Sequence, residues 1–327
     1  MSKARQLADL GNQIDDGAIT GSNMVINGAM TVAQRGVSQN TFGYGSIDRY
    51  LLSLSGGTGT MSQEELPLGQ TDIPSQFRNF MRVAATVGNN NMGPLQRIED
   101  VTVAEGSVTL SFYAKGSNPA AGSFSLAMYQ AFGSGGSTGV SSNQNTFVVT
   151  SSWQRFEFTL TLPSLSGKTV GTGSSLEIFI YQDNADTGTA AWTLDITGVC
   201  LNVGDSAIDF PHESYGDTLA KCQRYFYRYT GPSDDRWGVS YSYNNSTTST
   251  SVSFPVTMRS TPTGVVSSNG LLRVRDLADG TGGDVTPSTL TCGAITKDRW
   301  KIFVNAQLSN AAQILAFSTK LDFDAEL

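Results

Sequence analysis

Charge is scarce in this sequence. Asp, Glu, Lys and Arg make up only 15% of its 327 residues, against about a quarter in an average soluble domain. Their place is taken by Gly, Ser, Thr and Asn, with 35 glycines. That composition excludes a helical bundle, whose surfaces need Glu, Lys, Ala and Leu, and suits β-sheets joined by polar turns. Basic residues are fewer than acidic ones, 21 against 28, for a net charge of −7. With no basic stripe, a nucleic-acid backbone or an anionic lipid surface is excluded as a partner. No apolar run is long enough to span a membrane, and none follows the charged start Met1–Leu7. Neither membrane insertion nor secretion is therefore expected, and folding in a cytoplasm is.

Cysteine and histidine are scarcer still. Cys200, Cys222 and Cys292 are odd in number and widely spaced. They form neither a disulfide framework nor a metal knuckle and are expected to be buried, reduced thiols. The single histidine, His212, would have to serve any Ser-His-Asp or Cys-His centre. Placed in Phe210-Pro211-His212-Glu213, it reads instead as a hydrogen-bonded residue at a domain junction. One His and scattered Cys cannot supply the usual metal ligands, so neither a metal nor another cofactor is expected. No fixed-period repeat occurs, which excludes a solenoid.

What the sequence does have is alternation. Val108, Leu110, Phe112 and Ala114 share one side of Ser107–Lys115. Phe156, Phe158, Leu160 and Leu162 alternate with polar residues in Trp153–Leu162. Leu176, Ile178 and Ile180 point inward from Leu176–Tyr181. Trp192, Leu194 and Ile196 do the same in Trp192–Leu201, until Gly198 shifts the register as a bulge would. Strands buried on one face and separated by turns such as Lys115–Pro119 and Gly133–Ser137 predict an antiparallel β-sandwich of jelly-roll type over residues 25–212.

A C-terminal β domain is expected over 213–327. A helical turn at Asp217–Cys222 leads into the aromatic strand Tyr225–Tyr229. Strands are then predicted at Trp237–Tyr243, Ser251–Met258, Leu271–Val274, Trp300–Ala306 and Ile314–Phe323. Residues 1–24 differ from the rest. Leu7, Leu10 and Ile14 share a face of a short helix, one heptad long and too short to stand alone. The segment reads as an attachment peptide, or else as an unstructured tail. The short helix and the aromatic C-terminal domain both look under-packed alone, which predicts a homotrimer.

Catalytic sets are hard to find. Ser166-Gly167-Lys168-Thr169 lacks the earlier glycine of a phosphate-binding loop, since position 162 is Leu, and reads as a turn. The acids Glu64, Glu65, Asp183 and Asp186 could pair for glycoside hydrolysis only if the fold brought two of them together. The loops Asp183–Gly188 and Asp276–Asp284 are acidic but miss the alternate-oxygen pattern of a calcium loop. Sugars stack their C–H faces on aromatic rings while amides and acids orient the hydroxyls. Trp237, Tyr241, Tyr243 and Asn244 offer that mix and are the candidate glycan-contacting residues, although aromatic packing would explain them equally.

Several motifs, in order, carry a resemblance. Asn23-Met24-Val25-Ile26-Asn27-Gly28-Ala29-Met30, Ala33-Gln34-Arg35-Gly36 and Ile47-Asp48-Arg49-Tyr50 open the chain. Leu95–Asp100, Val108–Lys115, Phe210–Asp217, Leu219–Phe226 and Phe254–Pro262 follow, and Asp324–Leu327 closes it. This set resembles phage tail-fibre and other virion structural proteins over most of the chain from Asn23. The resemblance implies a carbohydrate-binding-like jelly roll plus a C-terminal β domain, trimeric and carried on a virion. It also implies attachment through the N-terminus to tail, baseplate or capsid proteins, with a host cell-surface glycan as the ligand. A non-catalytic receptor-binding tail fibre is the first expectation, a capsid-vertex fibre or decoration protein the second, and a surface-glycan depolymerase the third. Arg35–Gly36 and Asp48–Arg49 also have a direct physical reading, as charge-assisted ties between loop ends.

Overall fold

The computed structural model describes residues 23–88, 91–120, 122–182, 190–230, 235–244, 247–266, 272–276, 282–285, 290–293, 295–305, 313–317 and 320–327; for many strand residues between 235 and 320 it describes the backbone alone. Leu7, Leu10 and Ile14, and with them the short N-terminal helix, lie outside the described residues. The chain forms two compact units. One comprises the residues up to Thr218 together with Leu327, the other Leu219–Glu326.

The described strands of the first unit are β1 (Ser38–Gln39), β2 (Tyr50–Ser53), β3 (Thr58–Glu65), β4 (Asn79–Val87), β5 (Gly93–Glu99), β6 (Gly106–Ser117), β7 (Phe124–Ala131), β8 (Val140–Ser141), β9 (Asn145–Phe147), β10 (Gln154–Leu162), β11 (Ser175–Gln182) and β12 (Trp192–Val203). They build two sheets, ordered β1-β3-β4-β12-β6-β10 and β2-β5-β11-β7-β8, with β9 also on β7. The pairings are antiparallel, as the alternation requires.

Val108, Leu110, Phe112 and Ala114 of β6 are completely buried, as are Leu176 of β11 and Leu194 and Ile196 of β12. On β10, at a sheet edge, Leu160 and Leu162 are buried while Phe156 and Phe158 are only half-buried against the core. The expected bulge is present: the β12–β6 register shifts between Thr197 and Cys200, with Gly198 at φ 66°. Rings fill one end of the sandwich, with Phe112 5.4 Å from Phe147 and Phe124 edge-on to Trp192 at 5.1 Å. The Trp192 indole donates to Gln182 Oε1 at 2.7 Å, so this buried N–H is satisfied.

The opening motif proves structural. Asn23 Oδ1 accepts from the backbone N–H groups of Val25 and Leu201, and its Nδ2 donates to the Val199 carbonyl. Asn27, at φ 60°, donates to the Val32 and Asp48 carbonyls and accepts from Val32 N. Gly28 lies so close to β12 that a Cβ would come 2.1 Å from the Val199 carbonyl oxygen. Of the expected ties between loop ends, Asp48 accepts from Gln34 N at 2.8 Å and from the Gln34 side chain, and Arg49 Nη2 donates to the Arg97 carbonyl. Burial raises the Asp48 carboxyl above its ordinary value, against the opposing pull of Gln34 and Arg35.

The outer face of the first sheet is covered. Leu66, Ile73, Phe77 and Phe80 form a buried cluster with Tyr113, Trp153 and Phe210 packed on it. Beside them Asp195, with a side chain only 3% exposed, takes a bidentate pair from Arg82 at 2.7 and 2.8 Å.

The second unit contains one described helix, α1 (Tyr215–Gln223), which begins in the first unit. It runs longer than the expected Asp217–Cys222 turn because Ser214 caps it, its Oγ accepting from Asp217 N. The strands are β13 (Phe226–Thr230), β14 (Asp235–Asn244), β15 (Thr247–Ser253), β16 (Thr263–Val266), β17 (Leu272–Asp276), β18 (Gly282–Val285), β19 (Leu290–Gly293), β20 (Arg299–Asn305), β21 (Gln313–Phe317) and β22 (Lys320–Asp324). They form a sheet β13-β22-β16 and a larger one, β18-β17-β21-β14-β15-β20-β19.

Two strand expectations need correction. The alternating run Ser251–Met258 is strand only to Ser253. Pro255 has no N–H for a ladder, and Phe254 and Met258 instead donate to the Asp298 and Lys297 carbonyls. The run Ile314–Phe323 is two strands in different sheets, β21 and β22. Trp300 and Phe323, both fully buried and 4.8 Å apart, anchor this unit's core.

Candidate functional site: the open face of the second sheet

Alternation settles which side chains of the second sheet face outward. On β11 the core takes Leu176, Ile178 and Ile180, which leaves Glu177, Phe179 and Tyr181 outside. On β7 the core takes Phe124, Leu126 and Met128, leaving Ser125, Ala127 and Tyr129 outside. On β5, Ile98 is core and Leu95, Arg97 and Glu99 face out.

Register lines these residues up. Tyr129, Glu177 and Arg97 stand directly across from one another, and the next row is Ala127, Phe179, Leu95 and Leu51. Tyr181 pairs with Ser125 in the row beyond. Diagonal neighbours across such rows stand about 7–8 Å apart, so Tyr129 and Phe179 lie on one patch, with the buried Tyr181 packed behind Phe179.

Local contacts hold the patch rigid. Phe179 and Tyr181, two residues apart on β11, stack with centroids 4.5 Å apart and planes 16° apart. The Tyr129 ring lies over Gly139, where a Cβ would come 2.0 Å from the phenol oxygen. Tyr129 is nevertheless 39% exposed. Ala127, opposite Phe179, adds nothing beyond a methyl and leaves that flank shallow. Arg97 Nε donates to Glu177 Oε1 at 2.8 Å, and its Nη1 donates to the Leu327 carbonyl. Gln144 Nε2 donates to Ser125 Oγ at 2.8 Å. The result is a platform on which Tyr129 and Phe179 present ring surface, with the Arg97 guanidinium and the Glu177 carboxylate along its border. It can take the C–H face of a ring-shaped polyol and hydrogen-bond its hydroxyls.

The expected glycan-contacting residues belong to the second unit. Trp237, Tyr241, Tyr243 and Asn244 are on β14, whose backbone pairs with β15 and β21 through register shifts at Ser242–Asn244 and Arg236–Val239. Their side chains lie outside the described residues, as do Asp183 and Asp186. The platform was missed because β7 was not read as a strand, and because on β11 only the inward residues were followed. The signal was there: two aromatics spaced i, i+2 on the polar side of an alternating run.

Among the described residues no group of three or more His, Cys, Asp or Glu is placed to hold a metal ion. Ser166–Thr169 is a turn, closed by Lys168 N donating to the Leu165 carbonyl. Glu64 accepts from Ser62 Oγ, and Glu65 is exposed. His212 is exposed and makes no hydrogen bond to a described residue, which corrects the hydrogen-bonded junction expected of it. Cys200 and Cys222 are buried and form no disulfide among the described residues, and burial pushes the Cys200 thiol up to about 11.

Residues 70–192, which include the whole aromatic platform, match a family described as a carbohydrate binding domain. No curated protein matches the chain. Among solved structures, a putative sugar binding protein from Bacteroides thetaiotaomicron VPI-5482 is similar at 13% identity and a TM-score of 0.36, over 55% of this chain and 99% of that one. The CBM22-1 xylan-binding domain of Paenibacillus barcinonensis Xyn10C is similar at 14% identity and 0.33, over 58% and 99%. The enzymatically active domain of bacteriophage CBA120 tailspike protein 4 is similar at 14% identity and 0.30, over 55% and 21%.

Proposed function

We propose that the chain binds carbohydrate on the open face of its second sheet, as a non-catalytic receptor-binding fibre protein of a phage virion. The observation that carries the glycan reading is the accessible Tyr129–Phe179 platform, with Tyr181 stacked behind Phe179 and the Arg97–Glu177 pair at its border, inside the segment that matches a carbohydrate-binding family. Glu177 is engaged by Arg97, which favours a role in orienting hydroxyls over that of a general acid. The virion reading rests on the ordered motifs shared with tail-fibre proteins. A shallow platform gives weak contacts singly. A homotrimer, mounted several times on one particle, would turn them into firm attachment through effective concentration.

Affinity electrophoresis through gels containing lipopolysaccharide or capsular polysaccharide tests the site. Retardation that disappears in Tyr129→Ala and Phe179→Ala is expected, and retardation unchanged in both would overturn the site. Release of oligosaccharides from the same polymers would make the protein a depolymerase instead. Immunogold labelling of intact particles distinguishes a tail fibre from a capsid-vertex protein, and sedimentation of a stable monomer would remove the trimer.

A further inference from the structure

The opposite side of the sandwich holds a different kind of space. Where the covering segments cross the first sheet they leave a cavity of about 250 Å³. Three rings wall it. Phe77 stands 5.1 Å from Phe210, edge to face, and 5.7 Å from Tyr113. The bulge makes the room: Gly198 sits beneath Phe77, and a Cβ there would come 2.7 Å from Phe77 Cζ.

Four polar groups converge on the same cavity. Ser111, only 3% exposed, lines it, and its hydroxyl hydrogen-bonds to no described residue. That hydroxyl opens into the cavity, where it can donate to or accept from a ligand. Asp209 offers a carboxylate with no ion pair among the described residues. Arg155 is held in place by Glu157 at 2.8 Å and by the Ile208 carbonyl at 3.2 Å. Gln76 donates to the Phe210 carbonyl at 3.3 Å, which leaves its own amide oxygen free.

We propose that this cavity is a second carbohydrate site, which takes a single neutral pyranose ring. Its volume falls just below the roughly 300–1,000 Å³ of small-molecule sites, room for one ring and not for a run of several. Phe77, Tyr113 and Phe210 supply apolar walls for ring C–H groups. Asp209 and Gln76 accept from sugar hydroxyls, Arg155 donates, and the Ser111 hydroxyl does either. Glu157 and Asp209 together offset Arg155, so the site does not select an anion. The site stands on its own residues and shares none with the open face.

The test is amide chemical-shift mapping on the full-length protein, titrated with the methyl pyranosides of glucose, galactose and mannose. At least one is expected to shift Ser111, Tyr113 and Gly198 saturably. Asp209→Ala, an exposed change that leaves the core intact, should weaken that binding about tenfold. Tyr129→Ala should leave it unaltered, so failure here and failure of the open-face reading are distinguishable. No saturable shift with any of the three, shifts confined to the Tyr129 side, or equal shifts with glycerol would each overturn the proposal.

Discussion

On the first sheet, the outward residues Phe80 and Tyr113 pack with Leu66, Ile73, Phe77 and Phe210. On the second sheet, the outward Tyr129 and Phe179 keep accessible ring surface with only short borders around them. Both faces come from the same alternation and both carry aromatics. The difference is what the connecting segments do. The stretch between β3 and β4, and the one after β12, fold back over the first sheet and turn its outer side into a small second core. Burial makes aromatics structural on one side. On the other, no described segment covers Tyr129 and Phe179, which leaves their rings available to a ligand.

The largest effect should strike both faces at once. Phe112 sits between the sheets, so Phe112→Ala should cost about 3–5 kcal/mol in urea unfolding and abolish polysaccharide binding. The next prediction separates the faces. Phe77→Ala should cost about 3 kcal/mol, because Phe77 is fully buried under the cover, whereas Tyr129→Ala should stay within about 0.5 kcal/mol. Equal losses of stability in the two variants would break the comparison.

The arginines sharpen it further. Arg82→Met leaves the buried Asp195 carboxylate without its bidentate partner and should cost about 2 kcal/mol. Arg97→Met frees the more accessible Glu177 and should cost about 1 kcal/mol or less by the same measurement.

The smallest effect is a pH dependence. Asp48 has a folded-state carboxyl raised by burial, so the native state holds its proton to higher pH than the unfolded chain does. Its contribution to stability is full below the ordinary value of 3.8 and is lost as pH rises through the raised value. Asp48→Asn should therefore flatten the fall in stability on going from acid to neutral pH. Urea midpoints that fall just as far in the variant would assign the dependence elsewhere.

Much of the sandwich was legible because its central strands bury one side each. Val108 to Ala114, Leu176 to Ile180 and Trp192 to Ile196 announce their strands by period alone, and Gly198 announces its bulge. β7 was not legible, since Ala127, Met128 and Gln130 have little strand preference and the strand forms because β11 and β9 flank it. The second unit was read less well. The pattern ran on through Pro255 and across the gap between β21 and β22, because alternation counts apolar side chains and cannot see where backbone pairing stops.

The sequence by itself determined a low-charge, all-β chain with an antiparallel sandwich and which side of each central strand is apolar, since side-chain direction alternates with every residue whatever the partners. Only the tertiary structure decided that Tyr129 and Phe179 share one patch while Phe77, Tyr113 and Phe210 close around a cavity. Those groupings depend on register between strands distant in the chain and on which face the loops cover, and neither is written in any local run of residues.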